Sequence, residues 1–232
     1  MDSHLNNKWS TCNNSNNYFK IRSSNYLINK SKYTPTNSIL EFYDTECFLI
    51  KDPNNIKSIC NIEKTIFHKK MKNDPNIKFS LITCFILSKY LIIFYWVSYN
   101  EIHSNNTSFD NVFNNFIQLQ EGKKDRLKFI PSIIKPNNLL TKWVSGNPIM
   151  IGKKLTLDVN LGNQYMEIMI NLTSSFIAKH AINKLMPYSK KIIMNFCWII
   201  ESTTDEELPE HLLATAKIQN ISFDNVTEYL YN

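Results

Sequence analysis

Hydrophobic and polar positions along this chain follow two periods. The longest apolar run, FSLITCFILSKYLIIFYWVSY (79–99), is long enough to cross a membrane as a helix. Lys89 at its centre, and its wealth of Ile, Phe, Tyr, Thr and Val, favour instead two buried strands turning at Ser88-Lys89. Phe109, Val112, Phe113, Phe116 and Ile117 repeat with helical spacing, which predicts an amphipathic helix capped by Ser108 and ended by Gly122, its apolar stripe in the core. A further helix is expected to start at Ser174-Ser175, to carry Ile177, Ala178, Ala181, Ile182 and Leu185 on one face, and to stop at Pro187. The isoleucines at 56, 59, 62 and 66 suggest a helix over 55–72.

Shorter alternating runs predict strands at 18–22, 39–43, 47–51, 127–134, 140–145, 153–160, 164–173, 190–201 and 214–221, with a short helix at the C-terminus. Strands outnumber helices and their connections are short. The expected class is therefore α+β: one domain over 18–232, with a mainly antiparallel, curved sheet packed by three to four helices around a core that leaves room for an apolar cavity. Residues 1–17 are Asn/Ser-rich and read as a flexible segment in which Trp9 alone is able to pack.

Composition changes this picture little. A hydrophobic fraction of 43% over 232 residues supports a real core. The net charge of +6 suits an anionic membrane surface, but the lysines are scattered. No nucleic-acid motif accompanies them, so nucleic acid is not expected as a partner. Five widely spaced cysteines form no C-x-x-C and no zinc pattern with histidine. With no apolar leader after MDSHLNNKWS, the compartment is read as cytosolic, with peripheral membrane attachment left open.

Candidate chemistry is sparse. In GNPIMIGKK (146–154) the spacing of Gly146 and Gly152 departs from a phosphate loop, and Lys154 stands where a hydroxyl should be. Gly-Asn at 162–163 signals a hairpin. His68, His103, His180 and His211 share no ligand spacing, and no cofactor or metal is expected. Ser174-Ser175 reads as a cap rather than a nucleophile. The sharpest cluster is Glu201 followed by Asp205, Glu206, Glu207, Pro209 and Glu210 in EELPEHLL. Acids and a proline in succession are the signature of a helix start, and that is the favoured reading. Two others stay open: Glu201 or Glu207 as buried partner of Arg22 or Arg126, and Glu201 with Glu210 as a general acid/base pair. Lys142, Trp143, Lys153 and Lys154 form a basic, aromatic-bearing segment that reads either as a lipid-surface contact or as a core tryptophan beside solvated lysines.

The order of FKIRSSNYLINKSKY (19–33), RLKFIPSI (126–133), Trp143 with VSGNPIMIGKKLTLDV (144–159), NQYMEIMINLTSSFIAKHAI (163–182), IIES (199–202) and EELPEHLLATAKI (206–218) resembles the Enhanced Disease Resistance 2 C-terminal domain family. The similarity runs from Trp9 onward and includes Arg22, Arg126, Gly146, Gly152, Glu201, Glu207, Pro209 and Glu210, read as structural. Asn137-Asn138 replace a usual Gly-Pro, which puts that turn in doubt. In plant relatives such a domain follows pleckstrin-homology and START lipid-binding domains in proteins implicated in restraining defence and cell death. The resemblance implies a non-enzymatic regulatory domain that binds lipid or a membrane surface. A protein-interaction scaffold without a ligand is the alternative, and an enzyme using Glu201 and Glu210 a lesser one.

Overall fold

The structure, a computed structural model, describes residues 18–102, 107–119, 121–135, 146–224 and 226–229. Trp9, Lys142, Trp143, Asn137-Asn138 and the strand expected at 140–145 lie outside these residues. The chain begins with β1 (Ile21–Arg22), a single helical turn α1 (Tyr26–Asn29) and β2 (Lys32–Tyr33). Then come β3 (Glu41–Leu49), β4 (Phe79–Ile86), β5 (Tyr90–Ser98) and helix α2 (Ser108–Gln118). The second half holds β6 (Leu127–Lys135), β7 (Ile149–Met150), β8 (Thr156–Leu161), β9 (Tyr165–Asn171), helix α3 (Phe176–Leu185), β10 (Ile193–Ile200), β11 (Ala214–Gln219) and β12 (Thr227–Glu228).

These strands make the expected α+β domain, divided into two main sheets. One has the order β12-β3-β5-β4-β9-β8, the other β11-β10-β6-β7, and β1 pairs with β2 separately. Pairing is antiparallel except for β12 with β3 and β4 with β9. The apolar run at 79–99 is the hairpin β4–β5. No helix among the described residues is long and apolar enough to cross a membrane.

The hairpin is apolar throughout because both its faces are covered. One face sends Leu81, Phe94 and Trp96 against Phe196, Trp198 and Ile200 of β10, with Phe109, Phe113 and Phe116 of α2 closing the same cluster. Aromatic rings fill this interior: Phe85 stacks on Trp198 and Phe94 on Trp96. The opposite face sends Ile82, Cys84, Ile93 and Tyr95 against Ile59, Phe67 and Met71. A third, smaller cluster joins Phe19 and Ile21 to Ile130, Cys197, Ile199 and Leu212, so β1–β2 covers the outer face of the four-stranded sheet.

Several expected elements differ. The helix expected over 55–72 is broken into a 3-10 turn at Ile59–Asn61 and a π-turn at Phe67–Met71. Carboxylates from the sheet take the amides that a continuous helix needs: Glu167 accepts from Ile59 N at 2.6 Å, and Glu46 from Ile66 N at 2.9 Å. The two strands expected at 39–43 and 47–51 are one strand, β3, with an irregular register between Phe42 and Asp44. The expected C-terminal helix is replaced by β12, where Tyr229 packs edge-on against Phe48. Ile177, expected on the inner face of α3, is exposed.

The cap of α2 is Thr107 rather than Ser108. Its hydroxyl accepts from Asp110 N, and the Asp110 carboxylate accepts from Thr107 N at 2.6 Å, a reciprocal pair that satisfies two helix-end donors. Thr107→Ala is expected to destabilise the fold by about 1 kcal/mol, read from the shift in urea midpoint.

Candidate functional site

The acids of the EELPEHLL segment do not start a long helix. Asp205–Glu207 form one 3-10 turn, which ends at Leu208 in an extended conformation (ψ 149°). The residue before a proline is held away from the helical region, so Pro209 stops the turn instead of opening a helix. The Leu208-Pro209 peptide is cis.

What the segment builds is a charge network of three acids and three bases. Arg22 Nη2 donates to Glu201 Oε1 at 2.5 Å and Arg22 Nη1 to Ser202 O at 2.9 Å. The backbone amide of Arg22 donates to Glu210 Oε2 at 3.1 Å, and Glu210 N donates to Arg22 O at 3.0 Å. Arg126 Nη2 donates to Glu207 Oε2 at 2.6 Å and also to the carbonyl of Glu201. Lys128 Nζ pairs with Glu210 Oε1 and lies 3.7 Å from Glu201 Oε1. The side chains of Glu207 and Glu210 are 1% exposed, and that of Lys128 is 5% exposed. The network sits beside the third apolar cluster, where β1 meets β6 and the segment after β10.

Local structure fixes each member. Arg126 and Lys128 come from the start of β6, and Glu201 from the end of β10, tied by Glu201 N donating to Arg126 O at 2.8 Å. Glu207 also accepts from Asn115 of α2 at 2.8 Å and from Thr203 N at 2.7 Å. Ser108 bridges the same region to α2, its hydroxyl 2.9 Å from His211 Nε2. Burial alone would raise the Glu207 carboxyl, but the donors of Thr203, Asn115 and Arg126 outweigh it and hold it below the usual carboxylate range. A carboxyl depressed in the folded state stabilises above its ordinary value and loses that contribution as pH falls through the depressed one. Glu207→Gln is therefore expected to destabilise the domain at neutral pH and to flatten its acid unfolding limb, measured by urea titrations from neutral to acid pH.

Lys128 was not singled out in the sequence, where it reads as the outward residue of an alternating strand. A usable signal was the neighbouring apolar pair Cys197 and Ile199 on the same outer face, which implied a cover over that face. Gly146 has a left-handed backbone (φ 77°). Gly152 packs so closely on residue 124 that an added Cβ would lie 2.3 Å from the Lys124 carbonyl. This contact places the exposed Lys153 and Lys154 beside the exposed Lys124. His103 lies outside the described residues; His68, His180 and His211 gather in no group of three or more metal-ligating side chains among the described residues. Cys47, Cys60, Cys84 and Cys197 are buried free thiols, and burial pushes Cys47 up to about 12. A separate cleft of about 360 Å³ lies between α2 and the β8–β9 turn, lined by Phe79, Phe113, Ile117 and Tyr165 with Lys78 and Glu101.

The fold and network define a two-sheet α+β domain clamped by three acids and three bases, of which Glu207, Glu210 and Lys128 are buried. The chain belongs to the family described as Protein ENHANCED DISEASE RESISTANCE 2, C-terminal, whose profile matches residues 9–222. It is similar to a Protein ENHANCED DISEASE RESISTANCE 2-like of Arabidopsis thaliana, 23% identical over 137 residues. The match covers 59% of this chain and 18% of that relative, so the chain spans under a fifth of its length. No solved structure matches.

Proposed function

We propose that this domain is a non-enzymatic regulatory module that binds a lipid or membrane surface. The observation that carries the reading is the placement of charge. Three carboxylates and three cations cancel inside the network, so the whole excess of +6 belongs to the rest of the chain. Asp110 and Glu167 are buried as well, which takes two further negative charges off the surface. An outside enriched in lysine attracts anionic lipid.

The non-enzymatic part is supported by what engages the acids. An acid/base pair needs a proton path to a substrate. Glu201 and Glu210 instead share Lys128 and Arg22, and the Glu210 side chain is 1% exposed. The company that this family's domain keeps with lipid-binding domains in plant relatives points the same way.

Sedimentation with phosphatidylcholine vesicles, with and without phosphatidylserine, tests the reading. Binding should require the anionic lipid and weaken with salt. Absence of binding at every salt concentration, together with no co-purified lipid in native mass spectrometry, would sink it.

A further inference from the structure

We infer that the start of α3 is the part of the molecule that seats on an anionic bilayer, a step that rests on the membrane-surface reading above. A helix on a globular protein normally turns polar residues outward. In α3 the inner face is half-buried through Ala178, Ala181, Ile182 and Leu185, and the first outward positions are Phe176 and Ile177. These two side chains are 84% and 80% exposed. The Phe176 ring lies parallel to His180 one turn on, with centroids 6.2 Å apart, which keeps it along the outer face. Large apolar side chains standing adjacent in water have a cost that only a covering phase removes.

The charges around them select that phase. Residues 174–191 contain four lysines and no acid or arginine. Lys190 pairs with Asp224 at 2.5 Å, which lies outside this segment, so Lys179 and Lys184 of the helix carry its positive balance with Lys191. Thr156 N donates to Ser174 Oγ at 3.0 Å. That bond sets the start of β8, which follows the exposed Lys153 and Lys154 in sequence, against the lead into α3. Lysine is a point charge on a flexible stem, suited to a diffuse layer of headgroups; a fixed bidentate partner would call for arginine. Phe176 and Ile177 enter the boundary between headgroups and acyl chains, and Lys153, Lys154, Lys179 and Lys184 lie along the phosphates with their stems extended.

The test uses the whole chain and vesicles of phosphatidylcholine with about one third phosphatidylserine, at low salt. Phe176→Ser with Ile177→Ser should weaken partitioning about tenfold or more. Lys179→Glu with Lys184→Glu should weaken it by a similar factor, most strongly at low salt. Both pairs are at the surface, so an unchanged thermal unfolding midpoint is expected and separates lost contact from lost fold. The comparison variant is Ile28→Ser, which alters another aliphatic side chain, 83% exposed in α1, and should leave binding intact. Wild-type binding that survives both α3 variants, or that is lost with Ile28→Ser instead, overturns this assignment alone. A wild-type chain that does not bind these vesicles overturns the membrane-surface reading and this inference with it.

Discussion

Glu210→Ala is expected to lower folding stability by about 3–5 kcal/mol, the cost of leaving a buried charge without its partner. Lys128 would keep only Glu201, 3.7 Å away, while 5% exposed and under β1. The amide of Arg22 would lose its acceptor as well. Glu210→Gln should cost less, because an amide oxygen can still take the Arg22 proton. Joining Lys128→Met to Glu210→Leu should recover part of the loss, since apolar groups can replace a buried ion pair without an orphaned charge. Urea unfolding of the four chains measures this. A Glu210→Ala chain within about 1 kcal/mol of the parent would show that the network contributes little.

The second large effect is expected at the contact between the two main sheets. Trp96 is fully buried, ringed by Phe42, Phe94 and Phe196, and its indole N–H donates to the Thr215 carbonyl of β11 at 2.8 Å. Trp96→Ala removes both the packing and that bond, at about 3–5 kcal/mol. Trp96→Phe keeps most of the apolar volume and strands a buried carbonyl, at about 1–3 kcal/mol. If the two variants unfold at the same denaturant concentration, the packing share assigned to Trp96 is wrong.

How far the sequence could be read depends on which forces set each element. The hairpin at 79–99 and the helix at 108–118 were legible because burial writes its own period into the residues. Phe109, Val112, Phe113 and Phe116 are buried, as their spacing implies. The segment 55–72 was misread because its isoleucines mark contact with a sheet, whereas Glu46 and Glu167, distant in sequence, decide its backbone. The EELPEHLL segment failed as a helix start for a similar reason: acids beside a proline suit a helix dipole and a set of buried cations equally well. Pairing Glu207 with Arg126 was open from residue types, but Lys128 joins only through the β6–β10 register that sets it opposite Ile199 and through Glu210, which also holds Arg22. Helix α3 was expected to bury Ile177, which is exposed; a ten-residue window does not tell which side of a helix meets the core when both sides carry apolar residues.

The charge network also orders events during synthesis. Its cations, at 22, 126 and 128, leave the ribosome before its acids, at 201, 207 and 210, and Arg22 meets Glu210 across 188 residues. Until the last of these acids emerges, β6 holds a lysine that cannot be buried and β1 has no acceptor for its amide. Arg22 of β1 and Lys128 of β6 therefore stay hydrated until residues 201–210 have been made. Closing so long a loop is expected to make completion of this domain slow.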